Sequence, residues 1–323
     1  MQRNNNLQHY AEMPAPKRRK AGKRIQISVQ KLIEQRQVKI KNHTKDVDLS
    51  LLKHLKDFSG KNINVREIDM DFCYQFAQYL TNEAYIKPTS AKTYMQKLHA
   101  ILQEAVVMRY IDYNPMPQIS KLIPKIPNKE KDYLTTEEVQ WLQKSECPHL
   151  ITKLAFLFSC YTGLRVSDIE TLKWSDIQKQ NNLYMVVKTQ VKTSSEVRVP
   201  LCKQAMEILD IIRNKGLCKG EKIFIMYSRT TIAADLKAWA KSAGIDKHIT
   251  FHVSRISFVT LSIAAGINIY VVSKLCGHSN VKTTQIYARM IDRTYIDAIA
   301  LFENIFEQKG KTVRKVQKFN LLL

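Results

Sequence analysis

Residues 275–289 read LCGHSNVKTTQIYAR, and a Gly-His pair standing nine residues ahead of a tyrosine is the most specific signal in the chain. Three stretches upstream complete it: TGLRVSD at 162–168, VKTSSEVRVP at 191–200 and HVSR at 252–255. In order they supply Arg165, Lys192, His252, Arg255, His278 and Tyr287. Attack on a phosphodiester requires neutralisation of the two non-bridging oxygens, which planar arginine forks do bidentately. It also requires a nucleophile, a base and an acid for the departing oxygen. The set contains each part with no metal-ligand spacing and no Gly-rich phosphate loop, so neither metal nor cofactor is expected.

Each residue alone is weak evidence. Arg165 reads equally well as a helix-terminal arginine paired with Asp168, three residues on and on the same face if that turn is helical. Lys192 reads as a solvated turn lysine and has rivals in Lys188 and Lys173. The HVSR pattern arises often by chance, although residues three apart share a helix face and both side chains can meet one phosphate. Tyr287 competes with thirteen other tyrosines, Tyr295 among them. The ordered combination is what carries the reading.

Around this set lies a chain of 323 residues, long enough for two domains. Hydrophobic residues make up 45% and charged residues 25%, the balance of a globular chain without a membrane span. Lysine and arginine outnumber aspartate and glutamate by 51 to 29, a net charge of +22, which favours a polyanionic partner. The polar N-terminus is no secretory signal, and a cytoplasmic location at the nucleoid is expected. Cys73, Cys147, Cys160, Cys202, Cys218 and Cys276 lack zinc spacing and are expected to be buried free thiols.

Residues 1–27 read as a basic tail, with Lys17, Arg18, Arg19 and Lys20 as candidate phosphate contacts. Residues 28–114 carry helical periodicity, with helices expected at 28–41, 46–58 and 69–83 and a fourth opening at Pro88. On the last, Tyr94, Leu98, Ile101, Leu102 and Ala105 form the apolar face, and Lys92 and Lys97 lie on a wet face available to DNA. Four prolines in 115–132 predict an extended linker. From 133 to 308 a mainly helical domain is expected to hold a small antiparallel β-sheet. Thr135 opens its first helix as a capping box, Gly163 turns the chain to present Arg165, and strands at 183–188 and 197–199 flank Lys192. Ile296, Ile299, Phe302 and Phe306 predict an amphipathic helix, and 309–323 a second basic tail.

The ordered set Arg, Lys, His-x-x-Arg, Gly-His, Tyr resembles the tyrosine recombinases, the phage integrase family, most closely over GHSNVKTTQIY. The resemblance implies a helical core-binding (SAM-like) DNA-binding domain followed by a catalytic domain. It implies that Arg165 and Arg255 clamp the phosphate, His252 takes the tyrosine proton and Lys192 protonates the leaving oxygen. His278 would donate a hydrogen bond, Tyr287 would be the nucleophile, and Asp168 would orient Arg165 or a histidine. Ile256 stands where many relatives have a second histidine, and Cys276 where leucine is usual. The implied partner is double-stranded DNA with specific recombination sites, bound by a homotetramer, with accessory DNA-bending or directionality factors. A type IB topoisomerase uses a similar residue set, and a non-catalytic regulator would not need it. GLRVSDIETLKWSDI and VSKLCGHSNVKTTQIYARM resemble integrases of Bacteroidetes mobile elements. The short tail ahead of the helical domain leaves no room for an arm-binding domain, pointing to an invertase or short transposon integrase rather than a Xer-like resolvase.

Overall fold

The computed structural model describes residues 27–37, 42–123 and 132–288. The chain divides into two units, Met1–Asn128 and Lys129–Leu323. The basic tails, Lys17 to Lys20 among them, and the helix expected beyond Arg293 lie outside the described residues. No helix among those described is long and apolar enough to cross a membrane.

The first unit is all helix: α1 (Val29–Gln37), α2 (Asn42–Ser59), α3 (Met70–Gln78), α4 (Pro88–Val107) and α5 (Ile119–Leu122). Asp69 starts α3 by accepting the Phe72 N–H at 2.7 Å, and Pro88 occupies the first turn of α4, where its missing N–H costs nothing. Phe76, Leu80, Leu98, Ile101 and Leu102 are buried together, as the helical spacing predicts. The helix expected over 69–83 is not uniform. After Gln78 it widens into a π-helical turn, Tyr79–Glu83, closed by the Ala84 N–H on the Tyr79 carbonyl, and Leu80 stays in the core.

Two expectations are corrected here. Over 115–123 the segment expected to be an extended linker instead returns to this unit, while 124–131 lie outside the described residues. Met116 and Ile123 are buried in its core, with the short α5 between them, because their apolar burial outweighs the local effect of the prolines. Lys97 is not on a wet face. Its ammonium sits 3.6 Å from the carboxylate of the wholly buried Asp48, so it is committed to offsetting that charge; Lys92 is exposed.

The second unit wraps around α7 (Leu150–Thr162), almost every residue of which is buried. Ahead of it, α6 (Thr136–Lys144) opens with the expected capping box: Thr135 and Glu138 exchange side-chain bonds with each other's N–H. After it come α8 (Val166–Glu170) and a three-stranded antiparallel sheet, β1 (Ile177–Gln180), β2 (Leu183–Thr189) and β3 (Glu196–Pro200), in that order. The first strand was absent from the sequence reading. It joins β2 through Asn181 and Asn182, both at positive φ, the pair a two-residue hairpin turn requires. Helices α9 (Lys203–Asn214), α10 (Arg229–Ser242), α11 (Phe251–Ala264), α12 (Ile269–Leu275) and α13 (Lys282–Ala288) complete the unit. Phe156, Phe158, Phe224 and Trp239 anchor the core. The six cysteines are free, but only Cys73, Cys160 and Cys276 are buried as expected; Cys147 and Cys218 are half-buried and Cys202 is exposed just before α9.

Gly163 ends α7 at φ +68°, and a Cβ there would stand 2.4 Å from the Phe258 ring. We expect Gly163→Ala to destabilise the protein by roughly 2 kcal/mol or more, through left-handed strain plus overpacking. Denaturant unfolding of the full chain measures this; an unchanged midpoint would contradict it.

Candidate active site

The site is built where three helices end or begin. The turn after α7 is held by a polar chain: the Ser254 hydroxyl donates to Ser159, whose hydroxyl donates to the Leu164 carbonyl. That turn delivers Arg165, which precedes α8 in extended conformation (φ −71°, ψ 153°). Arg255 lies one turn into α11 and is only 3% exposed. Among the described residues no carboxylate forms an ion pair with its guanidinium. Nη1 donates instead to the Gly163 carbonyl, and Nη2 donates to the Cys276 carbonyl at 2.6 Å. Both acceptors lie just past helix ends, α7 and α12, where carbonyls lack intrahelical partners and the helix dipoles present negative charge. Burial lowers the Arg255 pKa, and neighbouring Arg165 adds to this.

The end of α12 positions His278. Gly277 sits at φ +61°; its N–H bonds the Lys274 carbonyl, and the His278 N–H bonds that of Ser273, the paired pattern of a Schellman cap. The His278 Nδ1 lies 2.8 Å from the hydroxyl of buried Thr284 on α13. With that hydroxyl donating, the imidazole proton resides on Nε2, leaving an N–H donor. Burial, then the charges of Arg255, Arg165 and His252, push the His278 pKa down to about 4. His252 is exposed one turn ahead of Arg255 on α11.

Tyr287 is 5% exposed and packs with Ile256, Val259, Val272 and Cys276 of its own chain, within electrostatic reach of Arg255. Arg165, His252, Arg255, His278 and Tyr287 thus fall in one electrostatic neighbourhood. Lys192 stands apart. It is exposed on the β2–β3 turn, although its neighbours in sequence are tied down. Of its rivals, Lys188 is bound at 2.9 Å both to Asp176 and to the Thr171 carbonyl. Lys173 lies in an isolated bridge with Lys222.

Asp168 departs from its expected role. Because Arg165 precedes α8 rather than lying in it, the two do not share a helical face. The buried Asp168 carboxylate accepts the Val191 N–H at 2.9 Å through one oxygen, which ties it to the turn carrying Lys192, and its charge also acts on Arg255. The sequence reading also passed over Gln190 and Thr284. Gln190 is 1% exposed and accepts from Arg165 Nη1 at 2.6 Å; Thr284 holds the His278 ring. Neither carried a local signal, since each is a polar residue among other polar residues.

The low His278 pKa has a consequence for titration. Free imidazole titrates near 6.5, so between that pH and about 4 the unfolded chain binds a proton that the folded chain refuses. This group's contribution to stability is therefore lost as pH falls through that window. We expect the His278 resonances of the DNA-free protein to remain those of a neutral ring down to about pH 5, and Arg165→Ala to raise the midpoint. A wild-type midpoint at or above 6.5 would contradict the described field.

Two family models match the chain: the phage integrase family over residues 132–293 and the phage integrase SAM-like domain over 28–123. A tyrosine recombinase of Thermosipho africanus is 29% identical across 66% of this chain and 76% of its own. One from Pseudothermotoga lettingae is 31% identical across 58% of this chain and 66% of its own. Among solved structures, the Tn1549 transposon integrase in complex with transposon right end DNA aligns at TM-score 0.67 and 19% identity, covering 86% of this chain and 99% of that one. A lambda integrase dimer bound to a COC′ core site aligns at 0.62 and 21%, covering 81% and 95%. At these identities the structural likenesses speak for the fold. On the family model, which spans half the sequence and every residue of the site just described, the chain belongs to the phage integrase family, the tyrosine recombinases.

Proposed function

We propose that this chain cleaves and rejoins DNA at specific sites with Tyr287 as nucleophile. Site-specific recombination by strand cleavage and rejoining is the activity of its family. The observation that carries the assignment of residues is the convergence of a buried tyrosine, a buried arginine held by backbone carbonyls and a histidine whose protonation burial and the surrounding positive charge suppress. A site in which two arginines lie together, oriented by neutral acceptors, is preorganised for an anion arriving from outside.

In the reaction the Tyr287 oxygen attacks the scissile phosphorus in line. A P–O bond to tyrosine forms as the bond to the 5′-oxygen breaks, leaving a 3′-phosphotyrosine. His252 takes the phenolic proton and Lys192, carried on its turn, protonates the leaving 5′-oxygen. Arg165 and Arg255 clamp the non-bridging oxygens, and His278 donates through Nε2. The phosphotyrosine conserves the bond energy, so a 5′-hydroxyl of a partner duplex reverses the step and reseals the strand.

The partner is double-stranded DNA, consistent with the net charge of +22. Lys92 on α4 and the basic run Lys17 to Lys20 supply phosphate contacts that add affinity rather than specificity. Four protomers acting in pairs, helped by accessory DNA-bending or directionality factors, would exchange strands at the nucleoid. The phrases around Arg165 and His278 favour integration, excision or inversion of a mobile element.

The test substrate is a nicked duplex selected from a random-sequence library by its covalent capture on the wild-type chain. Tyr287→Phe should bind this duplex normally and form no adduct, because only the nucleophilic oxygen is lost. An adduct that survives, or one that maps to Tyr295, sinks the assignment. Arg165→Lys and Arg255→Lys should each slow capture by roughly 100-fold or more, since a point charge does not replace the fork. Near-normal capture by both would contradict the clamp.

A further inference from the structure

We propose that Gln190 is the positioning residue of the arginine clamp, setting the Arg165 guanidinium and fastening the Lys192 turn to it. This rests on the reading that Arg165 neutralises the scissile phosphate. Gln190 follows β2, and both ends of its amide are engaged. Oε1 accepts from Arg165 Nη1 at 2.6 Å and from the Thr193 hydroxyl at 2.9 Å. Nε2 donates to the Cys276 carbonyl at 3.1 Å. A backbone carbonyl only accepts, so Nε2 faces Cys276 and Oε1 faces the arginine; the orientation of the amide follows from its partners. The backbone is fixed as well: the Gln190 N–H donates to the Ser195 carbonyl, and the Gln190 carbonyl accepts from Ser194.

Three consequences follow from these contacts. Gln190 and Arg255 share one acceptor, the Cys276 carbonyl, so both arginines are referenced to a single atom. Thr193 is the residue after Lys192, so the same amide ties the proton-donor turn to the clamp. The close approach is also specific: a Cβ at Gly277 would stand 2.5 Å from the Gln190 Oε1. The acceptor is neutral, and that matters. A carboxylate in this buried position would pair with Arg165 and cancel the charge meant for the phosphate, whereas an amide oxygen aims the guanidinium and leaves its charge intact.

The test uses the full chain and the selected nicked duplex, in two forms: the natural one and one with sulfur replacing the 5′-bridging oxygen. A thiolate departs without a proton, so sulfur restores variants that lack the acid but not those with a disordered clamp. Gln190→Met keeps the volume and removes every side-chain hydrogen bond; Gln190→Ala is its check. We expect both to bind the duplex normally, to form adduct at least roughly 30-fold more slowly and to stay slow on the sulfur substrate, as Arg165→Ala does. Lys192→Ala should recover on sulfur. A near-normal rate for Gln190→Met would mean that the side chain only fills space, and full recovery of Gln190→Met on sulfur would mean that it acts through the lysine turn alone and not on the clamp; either overturns the proposal. Loss of duplex binding in step with the loss of rate would reduce the residue to a structural part and overturn it too. Adduct formation by Tyr287→Phe exposes failure of the underlying assignment separately, and overturns both.

Discussion

The geometry of the site depends on one backbone acceptor, the Cys276 carbonyl. It lies just past α12, where the helix no longer supplies a donor, and it is deeply buried. Two side chains from distant parts of the sequence satisfy it, Arg255 from α11 and Gln190 from the end of β2. Gln190 in turn holds Arg165. Arg255 is thus set by backbone carbonyls and Arg165 by a side-chain amide fastened to one of them. An ion pair would have neutralised them; a helix end orients them and leaves net positive charge in the cleft.

That residual charge explains the rest of the electrostatics. His278 is held neutral because another cation is unwelcome there, and as a neutral ring with Nδ1 occupied by Thr284 it presents a donor. The carboxylate nearest in sequence, Asp168, accepts the Val191 N–H through one oxygen and so holds the turn that carries Lys192. One anchor serves the clamp and the other serves the acid. Lys192 itself remains in solvent, which suits a group that meets its target on DNA.

Much of this was legible in the sequence, and the reasons are local. Gly163 and Gly277 announce turns because positive φ is needed there, and Thr135 with Glu138 spells a capping box whatever the tertiary context. The six candidate residues could be picked out in order because each sits beside a recognisable neighbour, as His278 does beside Gly277. What escaped depended on distant partners. Gln190 looks like any polar residue at a strand end until Arg165 and Cys276 arrive from 25 and 86 residues away. Lys97 looked solvated because the buried Asp48 beneath it lies on another helix. The missed strand β1 is a different case: Asn181 and Asn182 were a readable hairpin signal, overlooked because the strand before them has no apolar alternation.

The proposed nucleophile Tyr287 packs on Ile256, Val259, Val272 and Cys276 of the same protein that carries Arg165 and Arg255, so one chain supplies the whole proposed site. Mixing Tyr287→Phe protein with Arg165→Ala protein on the captured duplex tests this directly. Neither variant has both nucleophile and clamp, so the mixture should form no more adduct than the two variants assayed separately. Restored cleavage in the mixture would mean that the tyrosine of one protomer is delivered to the clamp of another, and would contradict the account.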